Sequence, residues 1–146
     1  MDMAHEDADR LATELVIYAS RLVRAVRRHA GDEVAPETLR LLAQIDQRGP
    51  IGITQLAQVE NCAQPTMSAA VRLLAEKGWV ERAADPRDAR ASLVALTAAG
   101  AAELRRGRER FGRVVAGWFA VGPHTDADLR RAVDLMKSLV AHEAGQ

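Results

Sequence analysis

The residues best suited to bind a charged partner form a short polar cluster, Asp85-Pro86-Arg87-Asp88-Ala89-Arg90. Apolar-rich runs at 79–83 and 92–96 flank it and are typical of strands, so residues 84–90 are predicted to form the turn of a β-hairpin. The planar guanidinium group of arginine can donate paired hydrogen bonds to phosphate oxygens or to the edge of a guanine. A projecting arginine suits the narrow, negative minor groove of DNA, which is the predicted site of Arg87; a hydrated turn residue is the alternative.

The charged residues around Arg87 are given different roles. A carboxylate close to phosphates is repelled, so Asp85 and Asp88 are predicted to orient the arginines rather than to contact a nucleic acid. Arg82 and Arg90 are equally well explained as phosphate contacts and as braces of the hairpin.

Two short helices are predicted just before the hairpin. Thr54 is a suitable N-cap for a helix over 55–60, and Asn61 tolerates the left-handed conformation that can end it. Pro65 fits the first turn of a second helix over 65–77, which Gly78 ends. Such a helix-turn-helix occurs in DNA-binding proteins and also in purely structural helix pairs.

The second helix has an outward side opposite its apolar positions Met67, Val71 and Leu74. A solvated helix surface is one explanation. The adjacent hairpin favours another, because the N-terminal residues of a recognition helix reach base edges in the major groove. Pro65 is predicted to contact a sugar or a thymine methyl, and Arg72 a base or a phosphate. The full set of predicted contacts is Gln64, Pro65, Thr66, Ser68, Ala69 and Arg72.

Long helices are predicted on either side of this region. Apolar residues recur at helical spacing over 6–29, and further helices are predicted over 36–47, 98–119 and 125–142. With a short strand at 51–53, the fold class is mainly α with a small β-hairpin (α+β), a winged helix-turn-helix between long terminal helices. Their apolar faces are too extensive for one small winged helix to cover, which predicts a homodimer.

Composition excludes several classes. The 146 residues include 20 basic and 20 acidic ones, so any nucleic-acid surface has to be local. The single Cys62 cannot form an internal disulfide and suits a reducing cytoplasm. It is expected to be a small buried hydrophobe, with an oxidation-sensing thiol as the alternative. No metal-ligand spacing, nucleophile–base pair, phosphate-binding glycine loop or long apolar run is present, so we expect no metal, cofactor, catalysis or membrane span.

Residues 53–100 resemble the MarR family of bacterial regulators. The resemblance rests on Leu56-Ala57, Pro65-Thr66-Met67-Ser68, residues 77–82, and the hairpin cluster followed by Leu96-Thr97-x-x-Gly100. It implies one domain over 1–146, with dimerisation helices at 6–35 and 98–146 around a winged helix-turn-helix at 36–97. It also implies a cytoplasmic homodimeric repressor on an inverted-repeat operator in double-stranded DNA; a protein-interaction module without DNA binding is the alternative.

The resemblance also implies an effector, a small aromatic or lipophilic molecule that releases the DNA. The residues expected to bind this effector are Tyr18, Arg21, Leu22, Leu42 and Trp118. The alternative for each of them is a place in the core or in the dimer interface. Two positions depart from the family. Ala63 replaces a common serine and loses an N-cap worth about 1 kcal/mol. Ala69 replaces a longer polar side chain and can contact only a thymine methyl.

Overall fold

The structure, a computed structural model, describes residues 2–31 and 33–145, with side chains from residue 6 onward. Helices and strands follow in the order α1 (Asp2–His29), α2 (Pro36–Arg48), β1 (Ile51–Gly52), α3 (Ile53–Val59), α4 (Gln64–Glu76), β2 (Val80–Asp85), β3 (Asp88–Leu96), α5 (Ala98–Ala120) and α6 (Asp126–Ala144). The three strands form one antiparallel sheet in the order β1-β3-β2. The mainly α fold with a small sheet is therefore confirmed.

The chain divides after residue 112 into two compact units. The first unit has a core of side chains from α2, α3, α4, β3 and the start of α5. Its largest fully buried members are Leu42, Ile45, Leu56, Val71 and Val94. Because these residues come from the helix pair and the sheet, the core fixes the recognition helix α4 and the hairpin on one rigid support.

The second unit contains α6, which begins with a complete capping box. Thr125 Oγ1 accepts the Asp128 N–H, and the Asp128 carboxylate accepts the Thr125 N–H at 2.8 Å. The backbone N–H and then the hydroxyl of Thr125 lower the pKa of Asp128 below its ordinary value of 3.8. The predicted helix start at Thr125 is thus confirmed, because both partners lie within one turn of chain.

Two local predictions were wrong. Thr54 does not cap α3: the helix begins at Ile53 after Gly52, with no side-chain cap hydrogen bond. Gly52 is still extended because it pairs with Leu93 of the sheet, so the helix follows that pair directly. The hairpin turn is also shorter than the predicted 84–90. Strands β2 and β3 extend to Asp85 and Asp88, which pair across a two-residue turn.

The turn between α3 and α4, and the end of α4, are as predicted. Asn61 has a positive φ of 50°, in the left-handed region, and the Cys62 N–H then donates to the Ala57 carbonyl at 3.0 Å. Cys62 is half-buried against the core. Gly78, with a φ of 73°, ends α4. Gly78 has no Cβ and adopts this conformation without steric cost, and Asn61 tolerates the left-handed region better than most residues do.

Candidate nucleic-acid interface

The recognition helix α4 exposes its first turn. Ala63 precedes it in extended conformation without a side-chain cap, and Pro65 lies in the first turn. Gln64, Pro65, Thr66 and Arg72 are exposed, whereas Ser68 and Ala69 are half-buried. The opposite side packs into the core through Met67, Val71 and Leu74. The helix therefore presents an N-terminal end with free backbone N–H groups and short polar side chains, which suits contact with a base edge or phosphate.

The hairpin of β2, β3 and their turn, here called the wing, is organised by its two aspartates. Asp85 Oδ1 accepts the Arg87 backbone N–H at 2.9 Å, and Asp88 Oδ1 accepts the Arg90 backbone N–H at 2.9 Å. The carboxylates thus bind main chain and not guanidinium. Among the described residues, neither the Arg87 nor the Arg90 guanidinium group has a carboxylate oxygen within 4.0 Å. Both guanidinium groups are exposed and available to an external anion.

An open groove of about 560 Å³ lies between the wing and the start of α4. It brings together four of the residues predicted from the sequence: Gln64, Asp85, Arg87 and Arg90. Thr66, Ser68, Ala69, Arg72 and Arg82 do not line it. Of these, Thr66, Arg72 and Arg82 are exposed.

The groove also includes polar residues that the sequence analysis did not assign to the interface. Thr54 and Gln55, from the first turn of α3, and Ser92 of β3 line the same groove. Hydroxyl and amide groups of this kind donate hydrogen bonds to phosphate oxygens and thereby position a protein on a duplex. The polarity of Thr54 and Gln55 just after β1 is a sequence signal for this surface, but assigning Thr54 to the helix cap obscures it.

A hydrogen-bonded junction connects the end of α4 to the start of α5. Thr97 Oγ1 donates to the Gly78 carbonyl at 2.6 Å and accepts the Gly100 N–H at 3.1 Å. The Thr97 N–H donates to the Trp79 carbonyl at 3.1 Å. The Lys77 ammonium lies 4.7 Å from the centroid of the Trp79 ring. These contacts fix where the wing leaves the recognition helix.

Most of the arginines at positions 105–110 of α5 form ion pairs within the first unit. Arg106 pairs with Glu103, Arg108 with Asp46 at 3.6 Å, and Arg110 with Glu33 at 3.1 Å. Arginines at this spacing point in several directions around a helix, which favours a solvated surface over a nucleic-acid stripe, and Arg106 and Arg108 are exposed accordingly. The Arg110 side chain is only 12% exposed and also approaches the buried Glu103. Arg110 departs from a solvated surface, and the sequence could not show this because its partner Glu33 lies 77 positions away.

The predicted effector residues are in different environments. Tyr18 and Leu22 of α1 are 60% and 47% exposed, and the Arg21 guanidinium lies 5.4 Å from the Tyr18 ring centroid. Leu42 is completely buried in the core, and Trp118 belongs to the second unit. The assignment of these five residues to an effector site stays a prediction.

Within the residues that the structure describes, no group of three His, Cys, Asp or Glu side chains is arranged to hold a metal ion. None of the helices in the same part of the chain is long and apolar enough to cross a membrane.

An exposed recognition helix followed by a hairpin wing defines the winged helix-turn-helix class of DNA-binding proteins. Known proteins identify the family. The model of the MarR family matches residues 35–92. The chain is 33% identical over 140 residues to an HTH-type transcriptional regulator of Mycobacterium tuberculosis, covering 94% of this chain and 97% of that one. An HTH-type transcriptional regulator of Mycobacterium leprae is 30% identical over 142 residues, with the same coverage.

Solved structures show the same fold. A MarR family protein from Bacillus stearothermophilus matches with a TM-score of 0.71 at 16% identity, over 96% of this chain and 97% of that one. The multiple antibiotic resistance repressor MarR matches with a TM-score of 0.70 at 21% identity, over 89% and 94%. The chain belongs to the MarR family and is a DNA-binding transcription regulator.

Proposed function

We propose that this protein is a homodimeric repressor that binds an inverted-repeat operator and is released from it by a small-molecule effector. The observation that supports DNA binding most directly is the preorganised wing. Asp85 and Asp88 hold the backbone of the tip, while Arg87 and Arg90 remain exposed beside the open first turn of α4. A rigid tip loses little conformational entropy when its arginines bind, so most of the charge-assisted interaction contributes to affinity.

The proposed contacts divide by kind. Residues 36–97 form the DNA-binding region, with α4 in the major groove and Arg87 in the flanking minor groove. Gln64 and Arg72 discriminate bases, since glutamine favours adenine and arginine favours guanine. Thr66, Ser68 and Pro65 contact the backbone or base edges at the helix start, and Ala69 can contact a thymine methyl. Arg82 and Arg90 bind phosphates and contribute to every sequence about equally.

Exposed apolar side chains support the dimer. No residue of α6 is buried. Leu129, Val133, Met136 and Val140 recur at helical spacing on one side and are 38–62% exposed. In α1, Leu11 and Leu22 are 56% and 47% exposed. A water-soluble helix does not leave such a stripe uncovered, so residues 6–35 and 98–146 are proposed to pair with a second copy.

Two-fold symmetry of the dimer requires two-fold symmetry in the operator. Recognition helices of such dimers lie about 34–36 Å apart, one turn of duplex, so half-sites are expected about 10 base pairs apart. The test begins with selection of bound fragments from random DNA, followed by anisotropy titration of the selected site. Inserting about five base pairs between the half-sites rotates one of them to the opposite side of the duplex and should abolish tight binding.

A matched control separates specific contact from charge. Arg87→Ala should weaken operator binding, whereas Arg105→Ala, which removes an exposed arginine of α5 outside the groove, should not. Undiminished affinity for the respaced site would contradict the rigid dimer. Failure of the selection to enrich any sequence would instead favour a protein-interaction module.

A further inference from the structure

Leu73 lies on the exposed side of the recognition helix α4, and 58% of its apolar side chain is exposed. It is the most exposed large apolar side chain of the proposed DNA-binding region, where Val59 follows at 37%. The helix packs into the core through Met67, Val71 and Leu74, and Leu73 is not part of that core. A single exposed leucine is ordinary on a protein surface, so its neighbours decide whether it indicates a contact.

Leu73 continues a row of apolar residues along α4. Pro65 and Ala69 precede it at intervals of four residues, and side chains at this interval lie one above the other on the same side of a helix. Pro65 is exposed and Ala69 is half-buried, and neither has a polar group in its side chain. The row of Pro65, Ala69 and Leu73, here called the α4 ridge, lies on the side of the helix opposite Met67 and Val71.

Charge is scarce on α4. Its 13 residues include one basic side chain, Arg72, and one acidic side chain, Glu76. The exposed arginines Arg87 and Arg90 lie instead on the wing, in the groove beside the helix start. Contacts to the phosphates therefore depend mainly on the wing, which leaves the apolar and short polar groups of α4 for the base edges.

The major groove offers one alkyl group that an apolar side chain can contact, the C5-methyl of thymine. Guanine, adenine and cytosine present hydrogen-bond donors and acceptors at their edges there. Removal of one methyl group from water contributes about fourfold to affinity. An exposed leucine on a recognition helix thus matches thymine better than it matches any other base.

We infer that the α4 ridge reads thymine methyl groups in the major groove and that Leu73 is its principal specificity-determining residue. The inference rests on the operator binding proposed above. Pro65 and Ala69 were expected to approach a thymine methyl, whereas Leu73 is absent from the contacts predicted from the sequence. Of the three side chains it presents the largest apolar surface.

The length of the α4 ridge sets the length of DNA that it reads. Pro65 and Leu73 are about 12 Å apart along the helix axis, at about 1.5 Å per residue. A base-pair step of duplex is about 3.4 Å, so the ridge reaches about three to four base pairs. Each selected half-site should contain thymine within a run of about that length.

The experiment scans the selected operator for methyl groups that the protein contacts. Each thymine is replaced in turn by deoxyuridine, which keeps the hydrogen-bonding edge of thymine and lacks only the C5-methyl. Affinity is measured by anisotropy at constant salt. Replacement at one equivalent position in both half-sites should weaken wild-type binding about fourfold per methyl, or about sixteenfold for the pair. This scan needs no protein variant, so its result does not depend on whether a variant folds.

Two substitutions at Leu73 then assign the methyl effect to that side chain. Leu73→Gln introduces a polar side chain of similar size and helix propensity. It should weaken binding to the unmodified operator about sixteenfold and reduce the deoxyuridine penalty at its position to less than about twofold. Leu73→Met keeps an apolar side chain and should retain the penalty. Because the side chain is exposed, both variants should melt within about 2 °C of wild type.

Arg72→Ala is the matched control, since Arg72 is exposed and directly precedes Leu73 on α4. It should lower affinity for the operator and leave the deoxyuridine penalty unchanged, because a guanidinium group recognises guanine or phosphate and not a methyl group. Loss of the penalty in Leu73→Gln and its retention in Leu73→Met and Arg72→Ala would support the inference.

Other outcomes would overturn it. If no deoxyuridine weakens wild-type binding, the α4 ridge does not read methyl groups. If the full penalty persists in Leu73→Gln, Leu73 is not the residue that reads them. If Leu73→Gln changes the oligomeric state in light scattering and leaves DNA affinity unchanged, the ridge contacts protein. A selection that enriches no sequence overturns the proposed operator and this inference together, whereas an enriched operator that tolerates deoxyuridine throughout overturns this inference alone.

Discussion

Alanine substitution at three glycines of α5 should change stability in opposite directions. At Gly100 an added Cβ would overlap the Trp79 carbonyl oxygen and lie 2.8 Å from the Trp79 carbonyl carbon. At Gly107 it would lie 2.7 Å and 2.8 Å from the two Leu39 methyl carbons. At Gly112 it would have no neighbour within 4 Å among the described residues. The added methyl group would therefore overlap backbone atoms at Gly100, crowd a side chain at Gly107 and enter open space at Gly112.

The magnitudes follow from these contacts. The Trp79 carbonyl also accepts the Thr97 N–H, so it cannot move without breaking the junction between α4 and α5, and Gly100→Ala should cost at least about 3 kcal/mol. Leu39 is buried, so Gly107→Ala incurs about 1–3 kcal/mol of overpacking, offset by about 1 kcal/mol of helix propensity. Gly112→Ala gains helix propensity without overpacking, so it should stabilise the fold by about 1 kcal/mol.

Thermal denaturation followed by circular dichroism measures all three. For a chain of this size about 1 kcal/mol shifts Tm by about 2–4 °C, so Gly100→Ala should lower Tm by about 6–12 °C and Gly112→Ala should raise it by about 2–4 °C. Protein concentration must be equal throughout, because the proposed dimerisation would make Tm concentration-dependent. Equal Tm values for Gly100→Ala and wild type would refute the close approach to Trp79. A lower Tm for Gly112→Ala would mean that another surface contacts α5 there.

Three further predictions concern DNA binding and pH. Arg87→Ala should weaken operator binding by about 1–3 kcal/mol and reduce the salt slope by about one unit at unchanged Tm; wild-type affinity and slope would reject the minor-groove role. Arg72→Ala should relax base preference within the half-site in a selection experiment, whereas Arg82→Ala should weaken all sequences alike; identical profiles for both variants would contradict this division. Asp128 has a lowered pKa, so its capping contribution is complete above about pH 4 and declines as pH falls through the lower, folded-state value. The Tm difference between wild type and Asp128→Asn should therefore shrink on acidification below that point, and a constant difference would contradict the ionised cap.

Much of the fold was predictable from the sequence because its signals are local. Apolar spacing determined the long helices, and breakers such as Gly78 determined where they end. Asn61 adopts its left-handed conformation, and Thr125 forms its capping box, because all the atoms involved lie within one turn of chain. The same local reasoning identified the exposed start of α4 and the arginines of the wing.

The tertiary structure decided whatever depends on residues that are distant along the chain. The start of α3 and the length of the wing turn depend on pairing between strands, which local propensity does not encode. Likewise, the sequence does not reveal which carboxylate an arginine pairs with. Arg40 pairs with Glu60, 20 positions away, and Arg110 pairs with Glu33, 77 positions away. Arg27 has no such acceptor among the described residues. Only folding shows which arginines are neutralised, because burial and pairing are properties of the packed chain and of no segment alone.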